Sequence, residues 1–346
     1  MSENYGLTTD GREAKAYTIT NSNGAAVTIS DFGGIITKLL VPDKDGKLTD
    51  VVLGYDSASD YENGGGYLGA LIGRFGNRIG KGHFVLNGKE YQLATNDGAN
   101  HLHGGNVGFD KYIWEVEEVA QGLKLLMESP DGDEGYPGKM NIEVIYTFDD
   151  DNCLTIDYKA TSDKDTLCNL TNHAYFNLDG HDGGSIEEHV LKLYASTFTP
   201  TDAGNIPTGE IADVSETPFD FMMSKKIGRD IGKECQQIEY GLGFDHNFVL
   251  DKASGKMGMV ADVHSEKSGI RMTCETTQPA VQFYTGNHLG GNVGKDGVVY
   301  EKRGGFCLET QNFPDAINHD NFPSPILRAG ETYEKLTKYR FDIWKK

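Results

Sequence analysis

Basic residues, cysteines and long apolar runs are all scarce in this sequence. Lysine and arginine together number 32 against 52 aspartates and glutamates in 346 residues, a formal charge of −20. A field of that sign repels nucleic acid and anionic membranes, which argues against both as partners. It also weighs against a phosphorylated substrate unless local arginines overcome it, and it favours solubility. The five cysteines, Cys153, Cys168, Cys235, Cys274 and Cys307, are odd in number, widely spaced and never form a CxxC pair. A disulfide framework or zinc knuckle is therefore not expected, and reduced thiols in the cytoplasm are. No apolar run approaches the roughly 18 residues that span a bilayer. The opening MSENYGLTTDGREAKAY holds no apolar signal-peptide core. The serine-hydrolase elbow G-x-S-x-G is missing. So are a phosphate loop and a G-x-G-x-x-G turn placed after a strand.

Glycine, by contrast, is abundant at 44 residues and follows no repeat. Beside Asn and Asp it marks turns, and many turns mean many short strands. Period-2 alternation dominates. Tyr17, Ile19 and Val27, Ile29 flank Asn21-Ser22-Asn23-Gly24. Phe84–Leu86 and Tyr91–Leu93 flank Asn87-Gly88, a pair suited to a type I′ hairpin turn. Ile142, Val144, Tyr146 and Phe148 alternate, as do Leu154, Ile156 and Tyr158 after a run of Asp residues. Another pair of strands is expected about Ser268-Gly269. No long segment carries an i, i+3, i+4, i+7 apolar face. The expectation is an all-β chain forming one domain over 1–346, a large β-sandwich with long loops.

Those loops carry the polar side chains that could do chemistry. GRFGNRIGKG (73–82) offers Arg74, Asn77 and Arg78, either as ligand donors or as partners of an acidic loop. NHLHGG (100–105) has His101 and His103 at a spacing that can share one metal ion on a strand. No further ligand lies near, so structural or hydrogen-bonding histidines are expected and a metal is not. SPDGDEGYPGKM (129–140) has acidic residues but lacks a calcium-loop order, and reads as a rigid turn closed by Pro137-Gly138. NHAYFNL (172–178) places His173 among polar and aromatic residues, as a sugar cleft would need. Asp245 and His246 are adjacent, so on a strand they face opposite ways and at most one enters a site. QPAVQFYTGN (278–287) again mixes polar and aromatic residues. Glu309 follows the apolar Phe306-Cys307-Leu308, and a carboxylate leaving a buried strand is costly unless paired or used.

Together these segments resemble the aldose 1-epimerase (galactose mutarotase) family. FTPTDAGNIPTGEI (198–211), TPFDF (217–221), ETQNFPDAIN (309–318) and FPSPILRAGETY (322–333) extend the likeness over almost the whole chain. The resemblance implies a galactose mutarotase-like supersandwich with one cleft and no cofactor. It implies interconversion of the anomers of free aldohexoses such as D-glucose and D-galactose, by ring opening and reclosure. On the matching positions His173 is the acid and Glu309 the base. Arg74, Asn77, His103, Asp245 and Gln282 hold sugar hydroxyls. Ala280 and Ala329 stand where Gly and Pro are common in the family, away from these roles. The partner implied is a small aldose, with the protein either a monomer or a homodimer. The resting state expected is an ionised Glu309 and a protonated His173. Three rivals stay open: a hexose-6-phosphate epimerase, which needs a basic cluster; a sugar-binding module, which does not need His173 and Glu309 together; and a metalloenzyme using His101 and His103.

Overall fold

The anticipated hairpins all form, because each turn has residues that tolerate its backbone. In the computed structural model, which describes residues 2–345, Asn87 and Gly88 take φ of 54° and 77° between strands His83–Leu86 and Lys89–Gln92. Both positions need positive φ in a type I′ turn, which Asn and Gly adopt at little cost. Thr20 pairs with Ala26 across the Asn21–Gly24 turn. The Asp149–Asn152 turn joins Met140–Phe148 to Cys153–Ser162, and Ser268-Gly269 lies between Gly258–His264 and Ile270–Thr276.

The large sheet has nine antiparallel strands. Its first four, from Glu115 to Ser162, form a meander, and Thr332–Ile343 then pairs with Cys153–Ser162 on one side and Ile270–Thr276 on the other. Along Met140–Phe148 burial alternates strictly. Met140, Ile142, Val144, Tyr146 and Phe148 are buried, while the residues between them are not. One face is therefore core and the other meets solvent, as period 2 requires. Two five-stranded sheets cover the inner face. One is a meander from Ser2 to Asp50. The other has the order Ala212–Asp213, Thr197–Thr199, Asp245–Val249, Ala280–Tyr284, Cys307–Gln311. A single apolar cluster draws Val27, Ile29 and Leu39 from the first, Val144, Ile156 and Met272 from the large sheet, and Phe248, Phe283 and Leu308 from the last. Each such side chain stabilises the fold by roughly 1.5–3 kcal/mol through area removed from water. Helix is confined, among the described residues, to Ala58–Gly64, Gln236–Gly241 and short 3₁₀ turns. The expectation of a β-rich sandwich holds. Among the described residues no helix is long and apolar enough to cross a membrane.

The last sheet positions the site. Its core face carries Phe248, Val281, Phe283 and Leu308. Period 2 puts their neighbours on the opposite face: Asp245 and Asn247, Gln282 and Tyr284, Cys307, Glu309 and Gln311. Cross-strand register sets Asp245 opposite Tyr284, Gln282 opposite Glu309, and Tyr284 opposite Cys307. A sheet with one apolar face and one buried polar face needs loops to cover the polar side.

Candidate active site

Loops from the GRFGNRIG, NHLHGG and NHAYFNL segments close over that polar face. They enclose a cavity of about 180 Å³ whose lining includes Tyr67, Asn77, Arg78, His103, His173, Tyr175, Asp245, Tyr284, His288 and Glu309. Drug-sized pockets run to roughly 300–1,000 Å³, so this one suits a single monosaccharide ring. A cavity of about 250 Å³ lies beyond Gly66–Tyr67, lined by Phe32, Ile35, Tyr61 and Asp110, but no histidine enters it. Chemistry, not size, selects the smaller one.

His173 is set by its backbone. Its N–H donates to Ala70 O and its carbonyl accepts from Gly69 N, while Asn172 Nδ2 donates to Gly69 O at 2.8 Å. Its ring is flanked by Tyr175, 5.0 Å away and near parallel, and by Tyr67 at 6.0 Å. Nε2 lies 3.6 Å from Glu309 Oε1, and Nδ1 lies 3.5 Å from Cys307 Sγ. Glu309 Oε2 is buried without a hydrogen-bond partner. His103, in a left-handed turn at φ 52°, accepts the Asn77 backbone N–H on Nδ1 at 3.0 Å. Its Nε2 is therefore the protonated nitrogen of the neutral ring and a donor toward the cavity. Gln282 Nε2 donates to Asp245 Oδ1 at 2.7 Å, so Gln282 orients Asp245 from the neighbouring strand. Arg78 Nε donates to Asp97 Oδ2 at 2.8 Å while its guanidinium lines the cavity.

Burial governs the charges. It lowers His173 to about 4 and raises Glu309 well above the carboxylate range, an effect the Asp245 charge adds to and Arg78 opposes. Burial likewise raises Asp245, against Arg78 and the Gln282 bond. His103 is held well below its ordinary value by burial, with the neighbouring His173 acting in the same direction. Both members of the pair are thus driven toward their neutral forms. Glu309–COOH with neutral His173, and carboxylate with imidazolium, hold the same single proton. The expectation that nearby carboxylates keep His173 protonated is not met: burial lowers it, and only a backbone hydrogen bond acts the other way.

Arg74 is not in the cavity. Its side chain is 2% exposed and donates to Ser129 Oγ, Ser129 O, Pro130 O and Pro137 O at 2.7–3.0 Å. With four of its five N–H groups so engaged, the buried guanidinium closes the Ser129–Gly138 loop and does not line the cavity, so the structure does not place it with the sugar-binding residues as expected. Arg78 occupies the cavity instead. Four residues on, it forms a two-residue strand with Ile79, whose side chain goes to the core. His101 also points away: Nδ1 donates to Ala94 O at 2.8 Å and Nε2 accepts from Tyr136 OH at 2.6 Å. The strand ends at Leu102, so His101 and His103 do not share a face. Asp131, Asp133 and Glu134 accept hydrogen bonds within the turn and from neighbouring loops. His246 packs on Phe198 and Phe219, on the face opposite Asp245. The cluster able to hold a cation is a different one, since ligand atoms of His103, His173 and Glu309 all lie within 4.8 Å of one another. Sequence reasoning also missed Tyr67, Tyr175, Tyr284, His288 and Cys307. The i, i+2 spacing of His173 with Tyr175, and of Cys307 with Glu309, was the available signal.

Residues 15–340 match the family model described as aldose 1-epimerase. The chain is 46% identical to galactose mutarotase from Bos taurus over 93% of its length and 92% of the bovine protein. It is 36% identical to aldose 1-epimerase from Escherichia coli over 99% of each chain. Among solved structures, an aldose epimerase homologue from C. elegans superposes with a TM-score of 0.89 at 34% identity, covering 96% of this chain and all of the other.

Proposed function

The chain belongs to the aldose 1-epimerase family, and from that premise we propose that Glu309 and His173 are the base and acid with which it interconverts sugar anomers. The reaction is the exchange of α and β anomers of an aldose. The observation that carries the assignment is the pair at the cavity floor. The Glu309 carboxylate, whose Oε2 has no hydrogen-bond partner, and the His173 imidazole line the same small cavity, with Oε1 3.6 Å from Nε2.

With sugar bound, the one shared proton passes from Glu309 Oε1 to His173 Nε2, 3.6 Å away, and the carboxylate so formed takes the proton of the C1 hydroxyl. The C1–O5 bond breaks, its electron pair goes to O5, and His173 Nε2 gives O5 a proton. The product is the open aldehyde. After rotation about C1–C2, O5 attacks the other face of C1, returning its proton to His173 while the new C1 oxygen takes one from Glu309. Protons and electrons balance, so no cofactor is called for. Each positioned group is worth about 10²–10⁴-fold. Neutral His103, Arg78 and Asn77 donate to hydroxyls, and Asp245, oriented by Gln282, accepts. Holding the ring in this geometry supplies the proximity contribution.

Free D-galactose and D-glucose are the substrates we propose. The bovine relative is a galactose mutarotase, and the cavity lining sets Asp245 and Glu309 against one arginine that already holds Asp97. That balance disfavours a sugar phosphate. The free thiols support work in the cytoplasm. The test is polarimetry of freshly dissolved α-D-galactose, α-D-glucose and glucose 6-phosphate. Accelerated mutarotation of the two free sugars supports the reading. Acceleration of the phosphate alone overturns the choice of substrate.

A further inference from the structure

We infer that the Cys307 thiol is a positioning residue that fixes which nitrogen of His173 carries the exchangeable proton. The inference rests on His173 being the acid.

In that role Nε2 must hold a proton, release it to O5 and take it back. A neutral imidazole can take a proton on Nε2 only if its other proton stays on Nδ1. The polar atom that the structure puts on Nδ1 is Cys307 Sγ, at 3.5 Å. Cys307 is fully buried among Leu53, Tyr175 and Tyr284, so no bulk water competes for Nδ1. Burial also keeps the thiol protonated and uncharged. The neutral sulfur is a weak acceptor as well as a weak donor, and in the direction the acid role requires it accepts the Nδ1–H. Cys307 and Glu309 lie two residues apart on one strand, facing the same way. One strand thus registers the base and the second hydrogen bond of the acid.

The choice of sulfur has a chemical consequence. A carboxylate on Nδ1 stabilises the imidazolium, as in hydrolase triads. That suits a base but weakens an acid. The ring oxygen of a sugar is feebly basic, so its donor must give the proton up readily. A thiol sets the tautomer and leaves the imidazolium acidic.

The test uses the full chain labelled with ¹⁵N-histidine, with His173 assigned by its loss in H173N. Two-bond ¹H–¹⁵N spectra should show Nδ1 of His173 protonated at every pH at which the enzyme is active, whatever the state of Nε2. A bare Nδ1 overturns the inference. In Cys307→Ala the tautomers should mix, and kcat should fall about 3–10-fold with KM little changed, within the usual reach of one hydrogen bond. Cys307→Ser, which restores an acceptor, should recover most of the loss. Equal kcat in wild type and both variants, or equal losses in Ala and Ser, also overturns it. H173N separates the two claims. If H173N turns over like wild type, the acid assignment itself fails. If H173N is inactive while Cys307→Ala matches wild type, only the role of the thiol fails.

Discussion

Glu309 and His173 lie 3.6 Å apart with almost no exposure, and burial moves them in opposite directions. The consequence is visible in pH. Between the two values the pair holds one proton, which the reaction passes to and fro. As pH falls through about 4, His173 gains a proton beside an already protonated Glu309, and no base remains. As pH rises past the elevated Glu309 value, the single proton is lost. Polarimetric kcat/KM should therefore have an acid limb well below the roughly 6.5 of a free imidazole. An acid limb between about 6 and 7 would contradict the burial argument. The two arginines of one segment should behave differently. Arg78→Ala should lower kcat/KM by about 10–100-fold, the worth of a hydrogen bond to a charged group, with little change in the urea midpoint. Arg74→Ala strands buried acceptors around the Ser129–Gly138 loop and should cost on the order of 3 kcal/mol of stability. The fraction that folds should retain near-normal KM. The reverse pattern would return Arg74 to the cavity.

At the scale of elements, strands carry the polar groups and left-handed turns bring loop groups to them. Asp245, Gln282 and Glu309 share a sheet face because each is separated by an even number of positions, or by direct pairing, from its neighbours. His103 arrives in a turn whose next residue, Gly104, has φ 89° and lies against the Gly73 carbonyl, where a Cβ would come within 1.8 Å. Gly104→Ala must push the two loops apart and should cost about 1–3 kcal/mol in strain. It should also lower kcat/KM, because His103 and Asn77 lose their register. Unchanged kinetics in the folded variant would mean that the turn does not set His103. This division explains what could be read in advance. Glu309 after an apolar strand, and Asp245 opposed to His246, follow from period 2. The hairpins follow from turn chemistry. Nothing periodic distinguishes Arg74 from Arg78 in GRFGNRIG, since their difference arises from a loop more than fifty residues on. Protonation was illegible for a related reason: composition gives the net charge, but only the packed structure gives desolvation.

The whole molecule joins a strongly acidic surface to a small buried site. Its net charge of −20 should matter little to an uncharged sugar. Salt screens exposed charges beyond about 10 Å at 0.1 M, so kcat/KM for galactose should be nearly flat with ionic strength. A steep salt dependence would point to a charged substrate. His103, His173 and Glu309 come close enough to grip a divalent cation, yet the proton transfers need none. Activity should survive exhaustive EDTA treatment. Loss of activity on chelation, restored by one equivalent of zinc, would replace the acid–base account with a metal one.

Glu309 and His173, a buried pair that holds one proton between them, pass that proton through the sugar. Glu309→Gln keeps the shape but cannot accept the C1 proton, and His173→Asn keeps a donor that cannot release one readily. The measurement is kcat for mutarotation of α-D-galactose by the two folded variants, followed by polarimetry. Each variant should lose roughly 10²-fold or more while keeping the wild-type circular dichroism. Turnover close to wild type in either variant would contradict this role of the pair.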